Sequence, residues 1–201
     1  PGQIRMAVNV SPVQFRSRTL AAKAAAARAE SGLAPGRREL EITETVLIRD
    51  DEEALTILQQ LRELGVRIAL DDFGTGYSSL SYLKRFPFDK IKIDRCFVAD
   101  IAETSGAPVI VQAVVNIAAA SSMTTVAEGV ETEAQRELLR ALGCTQMQGY
   151  LFSPPKPAIE VRKLFGPGGG LPGALPVAAV VCVPSPRTRV PNTALVGILM
   201  P

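Results

Sequence analysis

The feature that most constrains this chain is alternation. Apolar, β-prone runs and helix-patterned segments follow one another from Arg5 to Phe152. The runs at 5–11, 39–45, 66–72, 89–94, 124–128 and 146–152 read as strands, and 19–30, 51–64, 109–120 and 132–142 read as helices. Gly32, Gly65 and Gly143 each stand where a helix must stop. Strands separated by helices predict a parallel sheet, because a parallel neighbour needs a crossover long enough to hold a helix.

Composition narrows the chemistry. With 201 residues the chain can bury a sizeable α/β core. Its net charge of +2 is too small to argue for DNA, RNA or an anionic membrane as partner. Cys96, Cys144 and Cys182 are odd in number and far apart, which fits a reducing cytoplasm better than a disulfide scaffold. There is no histidine. Ser-His and Cys-His catalysis are therefore excluded, and any metal site must use oxygen ligands, which favours Mg²⁺, Mn²⁺ or Ca²⁺ over zinc.

The chemistry concentrates between residues 66 and 94, VRIALDDFGTGYSSLSYLKRFPFDKIKID. A strand ends in Asp71 and Asp72, and a polar loop with Gly74 and Gly76 follows. Neighbouring strand residues point to opposite faces, so both carboxylates can reach one metal only where the strand ends and the backbone turns. An isolated Asp-Asp pair is more often a turn or a helix cap. In DKIKID, Lys90, Lys92 and Asp94 share one face while Ile91 and Ile93 share the other. If the isoleucines pack on helices the charges point into a barrel, where they are costly unless paired or used. An amphipathic edge strand with solvated lysines is the plainer alternative.

Six motifs then occur in one order: NVS at 9–11, EITE at 41–44, DDFGTGYSSL at 71–80, KID at 92–94, AEGVE at 127–131 and QGYLF at 148–152. Together they resemble the EAL-domain family, the cyclic-di-GMP phosphodiesterases. The resemblance covers about residues 5–165 and implies a (β/α)8 TIM-like barrel with a divalent-metal site at its mouth. It implies metal-dependent hydrolysis of cyclic di-GMP to linear pGpG in bacterial second-messenger signalling. Carried onto this chain, it makes Asn9, Glu41, Asp71 and Asp72 ligands for a pair of Mg²⁺ or Mn²⁺ ions. Lys92, Glu128 and Gln148 become the catalytic group: Lys92 orients the attacking water, Glu128 acts as base or water-holding residue, and Gln148 assists it. Glu44 anchors the glycine loop, and Phe73, Gly74, Thr75, Gly76, Tyr77 and Ser78 form the loop that couples substrate, metal and dimer contacts. Read alone, Asn9 is a strand-end turn residue and Glu41 a solvated strand face. Glu131 is as readily a helix-end charge as a site residue.

Two departures accompany the resemblance. The Glu-Ala-Leu motif that names the family is absent ahead of Asn9. The expectation is thus the C-terminal part of such a domain, 1–165, an incomplete barrel without its N-terminal strand and helices. Weak or no hydrolysis by the chain alone follows from that. From 166 to 201 the sequence is broken by proline and glycine, and it reads as a poorly ordered extension. The resemblance further implies a homodimer formed through the barrel, GGDEF or sensory domains upstream, and a cytoplasmic site, with membrane tethering possible through an N-terminal region. A non-catalytic EAL-like module that binds the nucleotide or another protein is the alternative. An unrelated Mg²⁺ enzyme on a β/α barrel is the third reading, and six ordered motifs count against it.

Overall fold

The computed structural model describes residues 5–47, 51–75, 80–103, 106–157, 160, 178–182 and 195–200. Six strands, β1 (Met6–Val10), β2 (Arg38–Thr43), β3 (Arg67–Phe73), β4 (Lys90–Ile93), β5 (Thr124–Ala127) and β6 (Gln146–Gln148), lie side by side in chain order. Every neighbouring pair among them is parallel. Consecutive parallel strands joined by helices are what the alternation predicts, and they form the open, incomplete version of the (β/α)8 barrel that the resemblance implies.

The connecting helices are α1 (Pro12–Phe15), α2 (Leu20–Ser31), α3 (Asp51–Glu63), α4 (Leu80–Arg85), α5 (Arg95–Ala99), α6 (Ala107–Ala120) and α7 (Glu133–Ala141). Their starts follow local chemistry. Ser11 with Gln14 closes a capping box on α1, and Thr132 with Gln135 closes another on α7. Asp94 caps α5 by accepting from the Cys96 amide at 2.8 Å. Neither α1 nor α5 is among the helices the periodicity predicts, since each is too short to show one. α2 buries none of its residues. An apolar groove of about 500 Å³ runs beside it, lined by Met6, Val8, Leu20, Ala24, Leu33 and Leu40.

The predicted last strand, 146–152, is too long. β6 ends at Gln148, and 149–152 turn back so that the Leu151 amide donates to Val130 O and that of Phe152 to Gly149 O. Two further short strands, β8 (Ala178–Cys182) and β9 (Leu195–Met200), lie in the stretch where the sequence predicts no persistent element. β9 runs antiparallel to β6, to β8 and to the two-residue β7 (Lys156–Pro157). Both are β-branched or aliphatic runs, AAVVC and LVGILM, which is the composition strands favour.

Alternation along the strands sorts two cores. Leu70, Ile42, Ile68, Ile91 and Ile93 are buried toward the helices, with Leu58, Leu61, Val111 and Leu139 on the helix side. The opposite face carries charge. Glu39 and Lys90 are each 1% exposed, and Lys90 Nζ lies 2.5 Å from Glu39 Oε1. Burial holds the Lys90 ammonium below its usual range, with the Glu39 carboxylate opposing that shift. One layer nearer the C-terminal ends of the strands, Glu41 and Lys92 repeat the pattern at 2.9 Å.

Removing one partner of the deeper pair strands a buried charge. Glu39→Ala is expected to cost about 3–5 kcal/mol in denaturant unfolding, whereas Glu39→Leu with Lys90→Met recovers most of that loss. Simple additivity of the two single substitutions would show that the ion pair is not what holds this layer.

Candidate metal and phosphodiester site

The site lies at the C-terminal ends of the parallel strands, where each strand delivers a residue and then hands over to a loop. β1 brings Asn9 level with Glu41 of β2, and β2 brings Thr43 level with Asp71 of β3. β3 then departs from regular pairing. Leu70 pairs with Ile91 and Phe73 with Ile93, so three steps on β3 span two on β4. The extra residue is a bulge at Asp71 and Asp72, and Asp72 takes φ +54°. A left-handed aspartate costs about 1–2 kcal/mol, and here it turns two successive carboxylates toward one side. The sequence requires such a turn at the strand's end; the structure makes it within β3.

One carboxylate oxygen each of Asp71, Asp72 and Glu128 lies within 4.8 Å of the others, a spacing that suits a shared cation. The Asn9 amide sits 3.2 Å from both Glu41 Oε2 and Asp71 Oδ2. With its nitrogen toward them it donates to both. With its oxygen toward them three acceptors converge, which is stable only around a positive charge. Glu41 Oε1 is buried and accepts no hydrogen bond from the described residues. An all-oxygen set with an unsatisfied buried carboxylate oxygen fits a hard divalent ion such as Mg²⁺, Mn²⁺ or Ca²⁺.

Lys92 is the hub of the site. Its Nζ lies 2.9 Å from Glu41 Oε2, 2.8 Å from Asp71 Oδ1 and 2.7 Å from Glu128 Oε1. Burial alone would lower the ammonium's pKa, but Glu41, Glu128 and Asp71 together hold it well above its usual value. The carboxylates feel the converse. Burial, with Lys92 opposing and Asp71 adding, pushes Glu128 up to about 7. Glu41 is raised mainly by burial. Asp72 is raised by burial and by the neighbouring Asp71 and Asp94.

Glu128 hangs from the end of β5, its amide donating at 3.1 Å to Ile93 O at the end of β4. Val126 pairs with Gln146, so two residues on, Glu128 comes level with Gln148. The Gln148 Oε1 atom is buried without a hydrogen-bond partner among the described residues. The Gly74 amide donates to Glu44 Oε1 at 3.0 Å, a contact between Glu44 and the start of the glycine loop. Phe73 is the last residue of β3 and is buried in the core, while Thr75 caps the turn by donating its hydroxyl to Asp72 O at 2.8 Å. Gly76, Tyr77 and Ser78 lie outside the described residues. Glu131 donates its amide to Gln135 Oε1 at 2.8 Å and is exposed.

Sequence reasoning missed two groups at the site. Asp94 hydrogen-bonds the Asp72 carboxyl, and burial, outweighed by hydrogen bonds at Cys96, leaves Asp94 below its usual range. Its place on the Lys92 face was the available signal. Gln135 is 7% exposed and bridges the 128–132 loop to Ala99 O at 2.9 Å, a contact no spacing announces.

Comparison with known proteins fits this geometry. The family profile of the EAL domain matches residues 1–155. The chain belongs to the EAL-domain family. The bifunctional diguanylate cyclase/cyclic di-GMP phosphodiesterase MucR of Pseudomonas aeruginosa is 46% identical over 156 residues, covering 78% of this chain and 23% of MucR. The phosphodiesterase part of MucR, solved with cyclic di-GMP, superposes with a TM-score of 0.75 at 45% identity, over 78% of this chain and 64% of that one. The EAL domain of Mycobacterium smegmatis DcpA gives 0.79 at 44% identity, over 84% and 75%. Klebsiella pneumoniae BlrP1, solved with manganese and cyclic di-GMP, gives 0.72 at 36% identity, over 76% and 39%. The chain spans about a fifth to a quarter of the length of the curated relatives it matches.

The raised carboxyl of Glu128 fixes a sign for pH dependence. A carboxyl with a folded value near 7 binds its proton more tightly in the fold than in the unfolded chain. Its stabilisation is complete below the ordinary carboxylate range and is lost as pH rises through 7. With no histidine to titrate nearby, the chelator-treated protein is expected to melt higher at pH 6 than at pH 8. Glu128→Gln should flatten that difference, and an unchanged slope in the variant would refute the assignment.

Proposed function

We propose that the EAL domain to which this chain contributes hydrolyses cyclic di-GMP to linear pGpG, using two divalent cations, Mg²⁺ or Mn²⁺, and that the six-strand open barrel alone turns over weakly or not at all. The observation that carries this reading is the convergence of Asn9, Glu41, Asp71, Asp72 and Glu128 around the Lys92 ammonium at the strands' C-terminal ends. Asn9, Glu41, Asp71 and Asp72 would hold the ions, and Glu128 stands close enough to join them. When bound, the cations would supply Lewis-acid polarisation of the phosphodiester and lower the pKa of a water. The chain's own groups do the rest. Lys92, fixed by three carboxylates, places a positive charge where negative charge develops on the phosphate. The Glu128 carboxyl, poised near neutral pH, can take a proton from the attacking water at Oε1 or Oε2. Gln148 offers its unsatisfied Oε1 to hold that water.

The wider setting belongs to the same reading. MucR pairs this activity with a diguanylate cyclase, which supports an upstream GGDEF domain in a longer protein. A homodimer is supported by the exposed Val109 and Ile110 on α6. Among the described residues no helix is long and apolar enough to cross a membrane. A cytoplasmic site agrees with the cysteine usage.

The test is turnover of cyclic di-GMP with Mn²⁺ or Mg²⁺, followed as pGpG release, for the chain alone, for the chain with a family N-terminal segment joined to it (hereafter the wild type), and for that longer form carrying Asp71→Asn. Wild-type turnover falling by about 10²–10³-fold in the variant is the expected result. Nucleotide binding without turnover in the folded wild type would replace this reading with that of a receptor. Neither binding nor turnover would overturn both.

A further inference from the structure

The catalytic carboxylate Glu128 and the amide of Gln148 sit at the starts of two separate loops, and the structure shows what holds those loops together. The Val130 amide donates to Gln148 O at 3.0 Å, and Val130 O accepts from the Leu151 amide at 3.0 Å. Between these two bonds the Val130 backbone lies over Gly149. A Cβ built on Gly149 would stand 2.1 Å from Val130 O, 2.3 Å from Val130 N and 2.6 Å from Val130 C. The obstacle is main chain held by two hydrogen bonds, so it cannot rotate aside as a side chain would. On the other side, Gly129 takes φ +70°, and a Cβ there would stand 2.6 Å from Arg95 Cβ. Glu128 is therefore seated between two close approaches, each requiring a glycine.

We propose, resting on the phosphodiesterase reading, that Gly149 is a positioning residue: its missing side chain lets the Val130 backbone dock, and this fixes Glu128 and Gln148 relative to Lys92 and the bound phosphodiester. A methyl at 149 must drive the two loops apart until ordinary contact is restored, a displacement on the order of 1 Å, and such a shift at a catalytic group is worth about 10²-fold in rate. Asn9, Glu41, Asp71 and Asp72 hang on β1, β2 and β3 and are not tied to this clamp. Substrate affinity should therefore change little while the chemical step slows.

The experiment compares Gly149→Ala with Gly143→Ala in the chain with the family N-terminal segment joined to it. Gly143 has φ +85° but its Cβ would meet only Val115 Cγ1, at 3.5 Å, so that variant carries backbone strain without the close approach. Expected for Gly149→Ala is a kcat lower by about 10²-fold at saturating Mn²⁺, with KM for the nucleotide within about threefold. Gly143→Ala should keep its kcat. A crystal structure of the Gly149→Ala variant gives a second readout that needs no turnover: the 2.7 Å contact of Glu128 Oε1 with Lys92 Nζ must lengthen. If the wild type shows no turnover, the phosphodiesterase reading fails, and the structural readout still decides the positioning claim. Wild-type kcat in a folded Gly149→Ala, an unmoved Glu128, or equal losses in both variants would overturn the proposal. Should Gly149→Ala not fold, Gly129→Ala presses on the same carboxylate from the Arg95 side and must give the same split of kcat from KM; a wild-type kcat there overturns it.

Discussion

Everything at the mouth of this sheet depends on one buried ammonium. Lys92 is 3% exposed and touches Glu41, Asp71 and Glu128, residues from β2, from β3 and from the end of β5. Three carboxylates brought this close would repel one another and take up protons, and one lysine among them leaves a net negative nest. That residual charge is what a divalent cation needs. The same contacts tie neighbouring strands together by their side chains, so the geometry of the site and the cohesion of the sheet share a cause. A lysine so placed cannot wander to solvent, which makes it a fixed electrostatic element of the kind that acts without reorganising.

Much of this was legible in the sequence, for identifiable reasons. Strand-helix alternation leaves a period that can be read, and charged residues at every second position of DKIKID mark one polar face, which the sequence alone leaves open between a barrel interior and solvent. Asn9, Glu41, Asp71, Lys92 and Glu128 are legible as one site only through the ordered motifs that resemble the EAL family, since Asn9 alone reads as a turn residue and Glu41 as a solvated strand face. What escaped was set by tertiary proximity. The bulge that aims Asp72 inward depends on how β3 meets β4, and DD alone does not encode it. The pairing of Lys90 with Glu39 crosses an intervening strand. Gly149 looks like a turn residue until the Val130 backbone is seen lying on it. The end of β6 at Gln148 has the same origin: 149–152 carry strand-like residues, but their amides are claimed by Val130 and by Gly149 itself.

Family membership and the site's geometry bear on different questions. The profile match and the superpositions on MucR, DcpA and BlrP1 establish the family and the barrel architecture. What this particular set of side chains can do comes from its oxygen donors, its buried ammonium and the orphaned Glu41 and Gln148 atoms.

The two stacked layers of opposite charge also act as an alignment key. A slip of one residue between strands would turn Lys90 and Lys92 onto the face where Ile91 and Ile93 now meet the helices. A slip of two would still let one lysine find one glutamate, but it would leave a second lysine and a second glutamate buried without each other. Only the native alignment closes both pairs, Glu39 with Lys90 and Glu41 with Lys92. The spacing of charge along β2 and β4 thus proofreads strand registration before any substrate is met.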